Sequence, residues 1–425
     1  MSTANRPDWQ ATPPDCTTSE EPAAAQTDRN GFARQPLLAA RFFRARSEPL
    51  PYPWHGDEGV VQWTTSGRAA IFAALRCAGI GRGDRVLVPA YHCPSMVAPV
   101  VALEATPVFY ALTADGAPDV STFGAPGRRP ADAVIAAHLF GIPTDLRAVR
   151  SFCDAHDMVL IEDCAHAFAH RAGAGRIGTH GNFVVASLTK FFPTVEGGLL
   201  LSRRMAAARM RLAPARLASE LRAAFDLIEL WASETASPLA RAVAPMFRIK
   251  RSLRGGRQPS AADAKADVDA SFRVDTTAAE RTALRLTAWL VRHSDWPGIA
   301  AARRRNYDMY SRLLAGCPHG RTPFASLPED AVPYVFPFLL PRSDPVYHGL
   351  RARGIPVFRW DRRWPGTPEL PGDISATWSA DLLQLSCHQS LSEQHIGAIC
   401  EMVTALAELQ HRGARAAAKS GGTER

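Results

Sequence analysis

Long apolar runs are missing from this 425-residue chain: none approaches the ~18 consecutive residues of a membrane span. The N-terminus, MSTANRPDWQ, has neither a basic start nor an apolar core and is not expected to be a secretory signal. Eight cysteines are scattered (Cys16, Cys77, Cys93, Cys153, Cys164, Cys317, Cys387, Cys400) with no Cys-x-x-Cys pair. That spacing argues against a zinc site or a disulfide framework, and for the reducing cytoplasm, and no metal-binding residues are expected. A dinucleotide fingerprint is lacking too. Gly79–Asp84, GIGRGD, ends a helical pattern and precedes a strand, the reverse of the order in a nicotinamide dehydrogenase. Outside residues 203–257 there is no excess of charge. That segment holds twelve Arg or Lys against four Asp or Glu, and 12 − 4 equals the whole net charge of +8. No nucleic-acid motif surrounds it, so nucleic acid is not an expected partner.

What is present is the composition of an ordinary soluble protein, 46% hydrophobic and 21% charged, long enough for two or more domains. The organising stretch runs from Met158 to Leu201. Its short apolar runs Met158–Ile161, Phe183–Ala186 and Leu199–Leu201 read as buried strands bounded by Gly, Asn or charged residues. Asp163 lies just past the first run, and Ser187 and Lys190 just past the second. Ligands of open parallel sheets bind at the carboxyl ends of strands, so the three side chains are expected to face one crevice. An acid, a hydroxyl and a lysine there suit pyridoxal 5′-phosphate (PLP). The lysine would form a Schiff base, the acid would hold the ring nitrogen protonated, and the hydroxyl would bind phosphate.

Around this stretch strands alternate with helices from Val60 onward: a helix from about Arg68, strand Arg85–Val88, a helix entered near Pro94, strand Pro107–Tyr110, strand Ala133–His138 and helix Asp145–His156. The expected fold class is therefore α/β, a large domain with a mostly parallel sheet and helices on both faces, followed by a smaller C-terminal α+β domain. Residues 1–35 read as a disordered leader, 36–275 as the large domain, 276–411 as connecting helix and small domain, and 412–425 as a loose tail. Within the large domain, 202–275 reads as a helical basic insertion. Its helix at 217–231 carries Leu217, Leu221, Phe225, Ile228 and Trp231 on one stripe. The connecting helix is expected over Thr277–His293, and the small domain to hold strands Tyr334–Leu340 and Ile355–Arg359 and helices Pro345–Arg353 and Glu393–Gln410.

Five motifs together resemble the DegT/DnrJ/StrS family of PLP-dependent aminotransferases: PAYHCPSMVAPVVALEATPVF, AVIAAHLFGIPTDLRAV, VLIEDCAHA, GRIGTHGNF, and the lysine followed by EGG. SCHQSLSEQHI resembles the family's C-terminal signature. The resemblance implies a fold-type-I homodimer with the site at the subunit boundary. It implies an amino acid donor, glutamate above all, and a keto acceptor, most often a nucleotide-linked keto-sugar. It makes Lys190 the Schiff-base lysine and Asp163 the partner of the pyridine nitrogen. Gly67 and Arg68 would contact phosphate through their backbone, and His166 would stand where many members place a Gln beside the phenolic oxygen.

The chain also departs from the family pattern. Val185 stands where a phosphate serine often lies, and Ser187 is expected to take over. Cys93 falls where an aromatic ring usually stacks on the cofactor, leaving open a sulfur contact or an inward turn of Tyr91 or His92. No Asn lies between Asn182 and Asn306 to reach a partner's phosphate. Arg359, Arg362 and Arg363 could grip a diphosphate while Trp360 stacks a base, or form a solvated basic face. Three other readings compete: a dehydratase or lyase of the same fold, whose dehydratases carry histidine in place of Lys190; a non-catalytic protein binding through 202–275; and weak docking of 203–257, with its FRIKRSLRGGR cluster, on anionic membrane.

Overall fold

The computed structural model describes residues 32–420 apart from short breaks at 48, 52, 55–58, 125–129, 170, 173–174, 204–209 and 330, and a longer one over 235–269 in which only 245 and 247 are described. The first part of the chain forms β1 (Val60–Thr64), α1 (Gly67–Cys77), β2 (Arg85–Pro89), α2 (Pro94–Ala102), β3 (Thr106–Tyr110), β4 (Ala133–Ala137), α3 (Arg147–Ala155) and β5 (Val159–Asp163). A two-residue pair, β6 (Arg171–Ala172) and β7 (Gly175–Arg176), precedes β8 (Phe183–Ser187) and β9 (Gly198–Ser202).

Seven strands make one sheet in the order β1-β9-β8-β5-β4-β2-β3. Strands β3, β2, β4, β5 and β8 run parallel, and β9 runs antiparallel to both β8 and β1. The mostly parallel α/β architecture expected from the pattern is what forms. Every residue of β4, β5 and β9 is buried, which is why these segments read as unbroken apolar runs: a strand covered on both faces has no solvent side to alternate toward.

The rest of the described chain forms α4 (Leu217–Glu234), α5 (Thr276–Ala279), α6 (Arg285–Arg292), α7 (Trp296–Leu314), β10 (Val335–Leu339), α8 (Asp344–Ala352), β11 (Val357–Phe358), α9 (Ser375–Asp381), β12 (Leu382–Ser386) and α10 (Glu393–Ser420). A three-stranded antiparallel sheet, β10-β12-β11, packs on helices around Tyr310, Phe336, Leu350, Leu385 and Ile399.

Several sequence expectations are corrected. The single helix expected over Thr277–His293 is two helices. Between them Thr282 N–H donates to Ala213 O and Ala283 N–H to Trp63 O, so the backbone pairs against the β1 edge instead of continuing the helix. Glu220 then accepts from Arg285 and Leu286 N–H and caps α6. The expected leader ends earlier than residue 35, because Phe32 and Ala33 are buried and His388 bonds Ala33 O at 2.9 Å; residues 1–31 lie outside the described residues. At the other end, α10 runs to Ser420, into the segment read as a loose tail.

The apolar stripe of α4 faces outward. Leu217, Leu221, Phe225 and Ile228 are 74%, 56%, 52% and 40% exposed, while Ala223 and Leu227 turn inward. The described part of this helix carries Glu220, Asp226 and Glu229 against Arg222. Its net charge is negative, which does not favour an anionic lipid surface, and the basic cluster from Arg248 onward lies outside the described residues. Among the described residues no helix is long and apolar enough to cross a membrane.

Candidate active site

A cavity of about 170 Å³ opens where the parallel strands end. Among its lining residues are Gly67, Arg68, Cys93, Asp163, His166, Ser187 and Lys190, the seven residues that the sequence assigned to the cofactor. The topology explains the convergence. Asp163 is the last residue of β5, Ser187 the last of its parallel neighbour β8, and Lys190 closes the 3₁₀ turn Leu188–Lys190 that follows. Cys93 stands at the start of α2, just beyond β2.

The phosphate end is built by the start of α1. Ser66 caps the helix by accepting from Ala69 N–H at 3.1 Å, leaving Gly67 and Arg68 on its first turn against the cavity. A Cβ on Gly67 would lie 3.0 Å from the Cβ of Ser187, so glycine lets the helix start and that serine approach each other. Gly198 has a similar reason. A Cβ there would fall 2.4 Å from the carbonyl of Ser66, which accounts for the last glycine of EGG. The Arg68 guanidinium is committed elsewhere, donating to Ala270 O and Arg273 O.

Asp163 Oδ1 accepts from Ala165 N–H at 2.8 Å, and the residue is buried. Burial raises its pKa, while the nearby Lys190 charge pulls the other way. Burial likewise lowers the Lys190 pKa, offset in part by Asp163. The amine is therefore more readily uncharged, and nucleophilic, than a lysine in water. Its Nζ sits 5.2 Å from the centre of the Tyr334 ring.

His166 is held as one tautomer. Its Nδ1 accepts from Phe140 N–H at 3.2 Å, so the ring proton resides on Nε2, which has no partner among the described residues. Burial, then the Lys190 charge, pushes its pKa well below the ordinary value, so the ring is a neutral donor. Phe140 adopts φ 60°, an unusual conformation for a side chain of its size, and this presents its N–H to the histidine. Tyr334 and Trp360 flank the imidazole at 4.5 and 5.1 Å between ring centres.

Of the alternatives left open at Cys93, neither neighbour turns in. The Tyr91 hydroxyl accepts from Gln384 at 3.2 Å in a buried cage with Trp360 and Trp378, and His92 accepts from Trp364 N–H at 2.9 Å. The cysteine thiol itself reaches the cavity, 3.0 Å from Ser95 Oγ. Trp360 lines the cavity, but Arg359 does not. Its side chain is paired with Asp344 at 2.6 Å and Asp361 at 3.0 Å and lies over Tyr347, so it is not free to grip a diphosphate.

Sequence reasoning missed Glu162, although it adjoins Asp163. This buried carboxylate accepts from His180 N–H (2.9 Å), Gly181 N–H (2.8 Å), Gly178 N–H and His138 Nε2 (2.9 Å). Burial alone would raise its pKa, but these donors, His138 first, more than offset that and hold it low. The arrangement pins the loop before β8 behind Asp163. An acid beside Asp163 in VLIEDCAHA was the only sequence signal for it.

Residues 54–213 match the DegT/DnrJ/EryC1/StrS aminotransferase family, in agreement with the resemblance carried by the motifs. Similar curated proteins include the GDP-perosamine synthase of Vibrio cholerae, 30% identical over 32% of this chain and 38% of that protein. Another is the L-glutamine:2-deoxy-scyllo-inosose aminotransferase of Streptomyces kanamyceticus, 32% identical over 33% of this chain and 35% of that one. The matched stretch thus spans little more than a third of these relatives' length. Across most of both chains the fold is that of the aminotransferase TlmJ from Streptoalloteichus hindustanus (TM-score 0.57, 23% identity, 84% of this chain and 87% of that one).

Proposed function

We propose that this chain, whose residues 54–213 carry the DegT/DnrJ/EryC1/StrS aminotransferase pattern, is a PLP-dependent aminotransferase that moves an amino group from an amino acid to a keto-sugar. One observation carries the reading: a lysine, a buried acid and a serine at the ends of adjacent parallel strands share a cavity with an exposed helix start.

The donor set fits PLP. The backbone N–H groups of Gly67 and Arg68 and the hydroxyl of Ser187 would hold its phosphate. Asp163 would face the ring nitrogen, and a cationic N–H there would favour the carboxylate form that burial alone disfavours. His166 Nε2 would donate to the phenolic oxygen, and Cys93 would lie against the ring. When bound, PLP supplies an electron sink for a carbanion at the amino-bearing carbon. The protein does the rest. Lys190 would hold the cofactor covalently, and its amine, when free, would carry the proton to and from the reacting carbon. Trp360, Met96 and Leu139 form the apolar part of the cavity wall.

For the acceptor we favour a nucleotide-linked keto-sugar, with glutamate or glutamine as donor. The relatives' names support this, one carrying a GDP-sugar and the other L-glutamine with a cyclitol ketone. Mass spectrometry of products from purified enzyme, with both amino acids and a panel of nucleotide-linked sugars and free cyclitols, tests it. Absence of any amino-group transfer by PLP-loaded enzyme would reject the activity.

Two further expectations belong here. Cys93 and Cys77 are half-buried and only Cys93 faces the cavity, whereas Cys153, Cys164, Cys317, Cys387 and Cys400 are buried. Iodoacetamide should therefore label Cys93 in PLP-free protein, and PLP should protect it; equal labelling with and without PLP would remove Cys93 from the cofactor site. The protein should also be a homodimer, as the resemblance implies, and the uncovered apolar face of α4 supports this. Light scattering that found an active monomer of 46.1 kDa would contradict it.

A further inference from the structure

We propose that Arg303 is a positioning residue for Lys190, fixing where the lysine's amine stands relative to Asp163; this rests on the reading of Lys190 as the cofactor-bearing lysine. Arg303 is on α7, more than a hundred residues downstream, and is 0% exposed. Its guanidinium gathers three segments. Nη2 donates to the backbone oxygen of Lys190 at 2.7 Å. Nη1 donates to Pro333 O at 3.1 Å and Tyr334 O at 3.3 Å, in the segment leading into β10. Nε donates to Gln389 Oε1 at 3.0 Å, in the loop after β12. Gln389 in turn donates to Phe191 O at 2.9 Å, and the guanidinium lies over the Phe191 ring at 4.6 Å.

Among the described residues no carboxylate pairs with this cation. Burying a charge without a counter-ion is costly, and the four acceptors and the face of the Phe191 ring offset it. Burial draws the Arg303 pKa down to about 10, so the group is still a cation at neutral pH. An apolar side chain would fill the same space without that cost. What arginine adds is a rigid planar fork whose donors point in set directions, which lysine's flexible point charge does not reproduce.

The fork controls both sides of the lysine. It fixes the backbone of the Lys190 turn, and through Tyr334 O it fixes the ring beneath Lys190 Nζ. Tyr334 N–H also donates to Phe140 O at 2.8 Å, and Phe140 N–H sets the His166 tautomer. One buried cation thus registers the large-domain turn, the small domain and the histidine against one another.

The test uses PLP-loaded protein carrying Arg303→Met, Arg303→Lys or Gln389→Leu. Four readouts are needed: kcat, KM for the donor, the pH titration of the cofactor's absorbance, and thermal melting. A displacement of about 1 Å costs on the order of 100-fold, so both Arg303 variants should lose about that in kcat with KM little changed, and should shift the titration. Gln389→Leu leaves the bond to Lys190 in place and should show a smaller loss and shift in the same directions. Lower melting temperatures with the titration and kcat unchanged would mean that Arg303 only holds the fold, and would overturn the proposal. Should the Arg303 variants fail to fold, an unchanged titration and kcat in Gln389→Leu would overturn it alone. Borohydride labelling of the wild type separates the two readings: label absent from Lys190 refutes the underlying assignment, whereas label on Lys190 with indifferent Arg303 variants refutes only the positioning role.

Discussion

Lys190→Ala should abolish amino-group transfer while leaving the protein folded and able to bind PLP without a covalent bond. The variant removes both the resting covalent attachment and the proton carrier. General acid–base transfer alone contributes ~10²–10⁴-fold, so the loss should reach at least ~10⁴-fold. The fold should tolerate the change. Alanine keeps the backbone carbonyl that Arg303 grips, and its removal of a buried amine relieves a group whose charged form burial already disfavours. In PLP-free protein the sign of that effect is testable. The folded pKa lies below the ordinary value, so the unfolded chain binds more protons between the two and stability rises with pH across that window. Lys190→Ala should remove this rise in melts taken from neutral to alkaline pH. The direct check is borohydride reduction followed by peptide mapping. Cofactor mass on another lysine, or on none in protein that demonstrably holds PLP, would reject the assignment.

Asp163→Asn should keep the fold and most of the bound PLP but lower kcat by roughly 10³-fold, because a neutral amide does not hold the ring nitrogen protonated and a preorganised charge partner is lost. The amide retains the acceptor that bonds Ala165 N–H, so the turn after β5 should survive. In PLP-free protein the folded pKa of Asp163 is raised. The native state therefore holds its proton longer, and the stability this group contributes at acid pH fades as pH rises through the raised value. Asp163→Asn should abolish that fall, leaving the variant as stable as the wild type or more so at neutral pH. Near-normal turnover in stopped-flow and steady-state assays would mean that Asp163 does not support the electron sink.

The parts of this protein that were legible in its sequence are those that neighbouring residues decide. Met158–Ile161 and Phe183–Ala186 announced buried parallel strands through unbroken apolar runs, and the residues just past them had to stand at the carboxyl edge of a sheet. Asp163, Ser187 and Lys190 therefore reach one cavity, with the start of α1 beside them. EGG stood in the sequence only as a motif of the family resemblance; the close approach of Gly198 to Ser66 came from the fold.

Where local pattern misled, a distant partner had overruled it. The helical periodicity of Thr277–His293 gave way at 280–284 to hydrogen bonds with Trp63 and Ala213. Arg359 matched an anion grip, but Asp344 had already claimed its charge.

The sequence by itself thus determined the sheet and the placing of Asp163, Ser187 and Lys190 at its carboxyl edge, because periodicity and strand ends follow from backbone geometry over a few residues. Only the tertiary structure decided what surrounds them. Tyr334 beneath the lysine, Trp360 on the cavity wall, the His166 tautomer and the grip of Arg303 on Lys190 O join segments far apart in the chain. Such contacts leave no periodic trace in either segment. They exist because the small domain packs against the strand ends, and that packing is settled by shape and buried polar bonding across the whole chain.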